Sequence, residues 1–128
     1  MSNKFLIIST SIELMRFVPD KIAYIVAEGN YSKIHQVDGE TRLLVLQLGK
    51  IEEAIDKQLG TDGKPFARIG KSIIINCSFV YSINVPKKEL VLSDMASFYH
   101  TVHTSEIALK ELKKHIEFDK EKYYAKEL

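Results

Sequence analysis

Phe66-Ala67-Arg68-Ile69-Gly70-Lys71-Ser72-Ile73-Ile74-Ile75-Asn76 joins a polar corner to an apolar run. Three consecutive isoleucines, β-branched and without polar interruption, read as a rigid buried strand. Directly before them, two cations and a hydroxyl are separated by a glycine, which holds a positive polar corner against a rigid buried strand. Function is expected at that corner.

The segments around it are mostly strand-like. Phe5–Ile8 and Ile12–Phe17 are short apolar runs, the second alternating through Ile12 and Leu14. Val18-Pro19-Asp20-Lys21 is a turn signal, because proline presets φ and aspartate bonds its own backbone. A strand over Ile22–Ala27 ends at Glu28-Gly29-Asn30. Tyr31–Val37 and Thr41–Leu46 flank Asp38-Gly39, a pair favoured in tight hairpins. At Leu48 the period changes, and Leu48, Ile51, Ile55 and Leu59 fall on one helical face, closed by Gly60.

Beyond the isoleucines, Phe79–Ile83, Glu89–Leu92 and Ser97–Val102 read as strands, with turns at Pro86-Lys87-Lys88 and Ser93-Asp94-Met95-Ala96. A second helix starts near Thr104-Ser105-Glu106, where a hydroxyl cap precedes an acid suited to the positive helix end. Its expected apolar face is Ile107, Leu109, Leu112 and Ile116, with Lys110, Lys113 and Lys114 in water. The fold class is therefore mainly β, with two short helices in one domain. The chain divides into N-terminal strands over 1–17, a domain over 18–118 and a charged tail over 119–128.

Composition narrows the function. A chain of 128 residues, 45% hydrophobic and 27% charged, can bury a single core. Net charge is only +1, and the slight positive excess lies in residues 65–128, where 10 Lys+Arg face 8 Asp+Glu. The lone Cys77 sits among apolar neighbours and reads as a small buried side chain. The N-terminal apolar run is too short for a signal-peptide core or a membrane span, so a cytoplasmic protein without membrane attachment is expected.

No enzyme is expected. His100 and His103, three apart in a strand, point to opposite faces and cannot share a metal. Cys77 with His100 lacks an oxyanion hole and an orienting third group. There is no phosphate loop or dinucleotide fingerprint. No metal, catalytic residue or cofactor is assigned. Arg68 has two readings, an ion pair with Glu28 or another acid, or a contact to nucleic acid. Lysine and arginine donate to guanine in the major groove, while hydroxyls and backbone amides hold phosphates.

Three motifs, Ile22-Ala23-Tyr24-Ile25-Val26-Ala27-Glu28-Gly29-Asn30-Tyr31-Ser32, Leu48-Gly49-Lys50-Ile51-Glu52 and Phe66 to Asn76, occur in an order that resembles the LytTR-type DNA-binding domain of LytR/AlgR-like response regulators. The likeness covers about Val18 to Ile116. It implies small antiparallel sheets in an elongated arrangement, with loops entering successive major grooves of double-stranded DNA. The implied contacts are Asn30, Tyr31, Ser32 and Lys33 in the first loop, and Arg68, Lys71 and Ser72 in the central segment. Gly70 stands where a histidine is common in the family.

The family's arginine near the last helix falls on Thr104 or on Glu106, so His103, Thr104 and Lys110 complete the candidate set. No receiver domain is expected, since only about twenty residues precede the likeness. The resemblance thus implies a stand-alone bacterial transcriptional regulator, with a homodimer on paired half-sites and a protein partner supplying the regulatory input as further expectations. The alternative is a LytTR-like protein-interaction or dimerisation module with weakened DNA binding, suggested by near-neutral charge and by Phe98, Tyr99, Tyr123 and Tyr124.

Overall fold

The structure, a computed structural model, describes residues 4–118. The charged tail over 119–128, with Tyr123 and Tyr124, lies outside the described residues. Ten strands form three antiparallel sheets: β1 (Leu6–Ser9) with β2 (Leu14–Phe17), a central five-stranded sheet, and a three-stranded sheet. The central sheet has the order β5 (Thr41–Leu44), β4 (Tyr31–Gln36), β3 (Ile22–Glu28), β7 (Ile73–Asn76), β6 (Phe66–Ile69). The third sheet runs β10 (Tyr99–His103), β9 (Glu89–Ser93), β8 (Val80–Asn84).

The three isoleucines explain this layering. Side chains alternate across a strand, so Ile74 enters one core while Ile73 and Ile75 enter another. All three are buried. The first core joins Ile74 and Ile25 to helix α1 (Leu48–Leu59) and to Leu6, Ile8 and Phe17 of the β1–β2 hairpin. The second joins Ile73 and Ile75 to Leu90, Leu92 and Val102 of the third sheet and to helix α2 (Glu106–Phe118). A sheet covered on both faces needs an apolar residue at every position of its central strand.

The first helix buries Leu48, Ile51, Ile55 and Leu59, and Gly60 takes a φ of 55° at its end, as the periodicity predicts. The second helix is rotated relative to expectation. Ala108, Leu109 and Leu112 are buried, while Ile107 is 73% exposed. Ala108 turns inward because its small side chain lets the helix approach the β6–β7 turn. A correction also applies near the N-terminus: Ile12 lies before β2, and both Ile12 and Leu14 are exposed, while Phe17 points inward. Cys77 is fully buried, and burial pushes its thiol up to about 12.

Turn chemistry fixes the registers. Asp94 Oδ1 accepts backbone N–H groups from Ala96 and Ser97 at 2.9 and 2.7 Å, and Asp94 Oδ2 accepts the Ser97 hydroxyl. Those donors, the Ser97 hydroxyl first, hold the exposed Asp94 carboxyl well below the usual carboxylate range. Phe98 packs edge-on against Phe79, and Tyr99 against Tyr81, across the third sheet.

Candidate nucleic-acid interface

The β3–β4 tip and the β6–β7 turn lie at one end of the central sheet. Antiparallel pairing of β3 with β7 sets Val26 opposite Ile73, and Ala27 N–H donates to Ser72 O at 2.8 Å just beyond. The tip, Gly29-Asn30, is therefore carried beside Gly70-Lys71-Ser72. Asn30 is exposed, Tyr31 is 44% exposed, and Lys33 is half-buried opposite Val26.

The central turn has an unusual backbone. Gly70 and Lys71 both adopt positive φ, 56° and 68°, a region that disfavours side chains other than glycine's. Arg68 compensates for it. Its Nη2 and Nε donate to Lys71 O at 2.7 and 3.0 Å, and its Nη1 donates to Glu52 Oε1 at 3.1 Å. Charge-assisted bonds of this kind are each about twice as strong as neutral ones. The guanidinium thus staples the turn to helix α1 and leaves the Lys71 and Ser72 side chains exposed.

Two of these residues are placed by their partners. Arg68 forms the ion pair expected with Glu28 or another acid, and that acid is Glu52. Three of its five N–H donors are engaged in these bonds, which gives it a part in holding the turn. Ser32 is fully buried and its hydroxyl donates to Leu46 O at 2.7 Å, which removes it from any external contact. Alternation is the reason: Ser32 pairs with Ala27 and Leu44 on the face that carries the first core.

Helix α2 completes the surface. Ser105 caps it, accepting the Ala108 N–H on Oγ at 3.1 Å. A Cβ placed on Gly70 would lie 3.1 Å from the Ala108 Cβ, so glycine at 70 lets the helix pass close to the turn. Lys71, Gly70 and Arg68 consequently share a shallow groove of about 480 Å³ with Ile107 and Glu111. Glu106 is exposed at the first turn of the helix, and Lys110 is exposed one turn beyond it.

His103 ends β10 with its side chain in water, and the Thr104 N–H donates to Lys88 O at 3.2 Å. The turn Pro86-Lys87-Lys88 is thereby brought to the start of α2, adding two lysines that the sequence reading treated only as a turn. His100 lies on the opposite face from His103, near Tyr24 and the Val37 carbonyl. Ala108 and Glu52 were also missed as parts of the site. The signal for Ala108 was Gly70 itself, an open position that some neighbour had to fill.

Comparison with known proteins agrees with this geometry. A solved LytTr DNA-binding domain from Bacillus cereus has the same fold, with a TM-score of 0.57 and 17% identity over 88% of this chain and 96% of that one. Comparison with curated proteins found no match. Among the described residues, no helix is long and apolar enough to cross a membrane. The sequence model of the LytTr DNA-binding domain matches residues 13–117, and the chain belongs to that family of DNA-binding domains.

Proposed function

We propose that this protein regulates transcription by reading double-stranded DNA in the major groove through the sheet end formed by Asn30, Tyr31, Lys71 and the start of α2. The observation that carries this reading is the exposed Lys71 side chain on a left-handed turn held by Arg68. Two charge-assisted bonds to its carbonyl fix the strained backbone from which the Lys71 side chain projects, and a lysine projecting from a fixed turn suits base-edge recognition. Lys71 is assigned a base edge, Ser72 a phosphate, and Asn30 with Tyr31 the flanking groove. His103, Lys87 and Lys88 lie at the start of α2 and suit phosphates.

The test is selection from a randomised duplex pool, followed by titration of recovered sequences at two salt concentrations. Enrichment of a short motif with salt-sensitive affinity is expected, with Lys71→Ala losing more on that motif than on random DNA. Equal losses on both would move Lys71 to the backbone. A second reading, a module that docks or dimerises with weakened DNA binding, is supported by Glu106, whose carboxylate stands exposed where a cation would favour phosphate. Selection without an enriched motif would favour that reading.

A further inference from the structure

Helix α2 begins at Glu106, and its second residue, Ile107, is 73% exposed. Successive helical side chains are rotated by about 100°, so with Ala108 turned in against Gly70 the Ile107 side chain stands to one side of that contact. It lines one shallow groove of about 480 Å³ together with Gly70 and Lys71. A single isoleucine in water is ordinary on a protein surface. This one stands beside an exposed lysine on a fixed turn, at the sheet end proposed for DNA.

Isoleucine has no donor or acceptor for a phosphate or a base edge, so what it adds to a groove contact is apolar area. Glu111, one turn further along the same helical face, also lines the groove and disfavours a phosphate next to Ile107. In the edge pattern of the major groove the apolar group is the C5-methyl of thymine, on which apolar side chains pack. Lys71 supplies a donor for guanine O6 and N7. Neighbouring bases along a strand are about 3.4 Å apart, so two side chains of one groove can meet adjacent base pairs.

We infer, resting on that major-groove reading of Lys71, that Ile107 is a specificity residue that packs on a thymine C5-methyl at the base pair beside the one Lys71 contacts. The lysine selects by hydrogen bonding and the isoleucine by shape and apolar burial. Ile107 neutralises no phosphate, so its contribution does not change the salt dependence of binding.

The probe is the duplex recovered from the randomised pool, with copies in which one thymine at a time is replaced by deoxyuridine, which lacks only the C5-methyl. The parent protein is expected to lose about three- to fivefold in affinity at one thymine, the scale of burying one such group. That thymine is expected beside the guanine whose preference Lys71→Ala relaxes. Ile107→Ala, a truncation of an exposed side chain, should lose at least as much on the recovered duplex, with the same salt slope as the parent. On the deoxyuridine copy it should lose nothing further, which couples the side chain to that methyl.

An enriched, Lys71-dependent motif in which no thymine shows the loss overturns the inference and leaves the assignment of Lys71 standing. A loss at thymine that persists undiminished in Ile107→Ala also overturns it. Selection without any enriched motif would defeat the major-groove reading and the inference with it.

Discussion

The carbonyl oxygen of Lys71 receives two donors from Arg68, at 2.7 and 3.0 Å, while the Arg68 guanidinium also meets Glu52 on helix α1 at 3.1 Å. One side chain therefore connects the β6–β7 turn, the edge strand and the first helix. Arg68→Ala is expected to destabilise the fold by about 1–3 kcal/mol, the usual cost of losing hydrogen bonds to a charged group. It is also expected to lower DNA affinity, although the guanidinium touches no DNA in this assignment. Glu52→Gln should cost only about 0.2–1 kcal/mol, because that pair is partly in water. Urea unfolding of both variants separates them, and equal losses would contradict the assigned division of labour.

Lys71 lends itself to a substitution that separates stability from binding. An L-residue at a φ of 68° carries a backbone penalty of about 1–2 kcal/mol, which glycine does not. Lys71→Gly should therefore fold as stably as the parent or up to about 1 kcal/mol better, since the gain is offset by the freer unfolded chain. Its DNA affinity should nonetheless fall, and the salt dependence of binding should lose about one unit of slope. A stable variant with unchanged DNA affinity would remove Lys71 from the interface.

Glu106 is expected to limit DNA affinity. At the first turn of α2 its carboxylate complements the helix dipole, worth about 0.3–1 kcal/mol, yet it would repel a phosphate nearby. Glu106→Gln is expected to trade a small loss of thermal stability for tighter DNA binding. Glu106→Arg should tighten it further and steepen the salt dependence by about one unit. Unchanged binding by both variants would place α2 away from the nucleic acid.

The strands and helices were legible because their signals are local. Three isoleucines in a row marked a buried strand, and the spacing of Leu48, Ile51, Ile55 and Leu59 marked α1, whereas the cover on both faces of β7 follows only from the packing. The rotation of α2 was not legible: Ile107 and Ala108 are both apolar, and only the approach of Gly70 selects the smaller one. Arg68's partner was hidden for a related reason. Glu52 and Arg68 are distant in sequence, and only the packing of α1 over the face shared by Ile74 and Arg68 brings them together. Ser32 could have been recognised as buried from strand parity, since it shares a face with Ile34 two residues on, but its place in a family contact loop suggested the opposite.

Cys77 offers a check on the second core. Its thiol is buried and pushed up to about 12, so almost no thiolate forms near neutral pH. A thiol reagent at pH 8 is expected to label the native protein only at the rate at which the core opens, and rapidly in denaturant. Fast labelling under native conditions would mean that the third sheet separates from the central one.

His35 links pH to stability. Its ring stacks on Tyr24 with centroids 4.2 Å apart, and burial, then Lys33 and His100, hold its pKa below the ordinary 6.5, with Glu28 opposing. The folded state thus favours the neutral ring more than the unfolded chain does. Stability from this group is complete above about pH 6.5, the unfolded value, and is lost as pH falls through the lower folded value. His35→Phe keeps a ring against Tyr24 but cannot titrate. Denaturant midpoints measured from pH 7.5 to pH 5 should fall for the parent and fall less for the variant, and parallel curves would show that protonation of His35 does not reach the packing between β3 and β4.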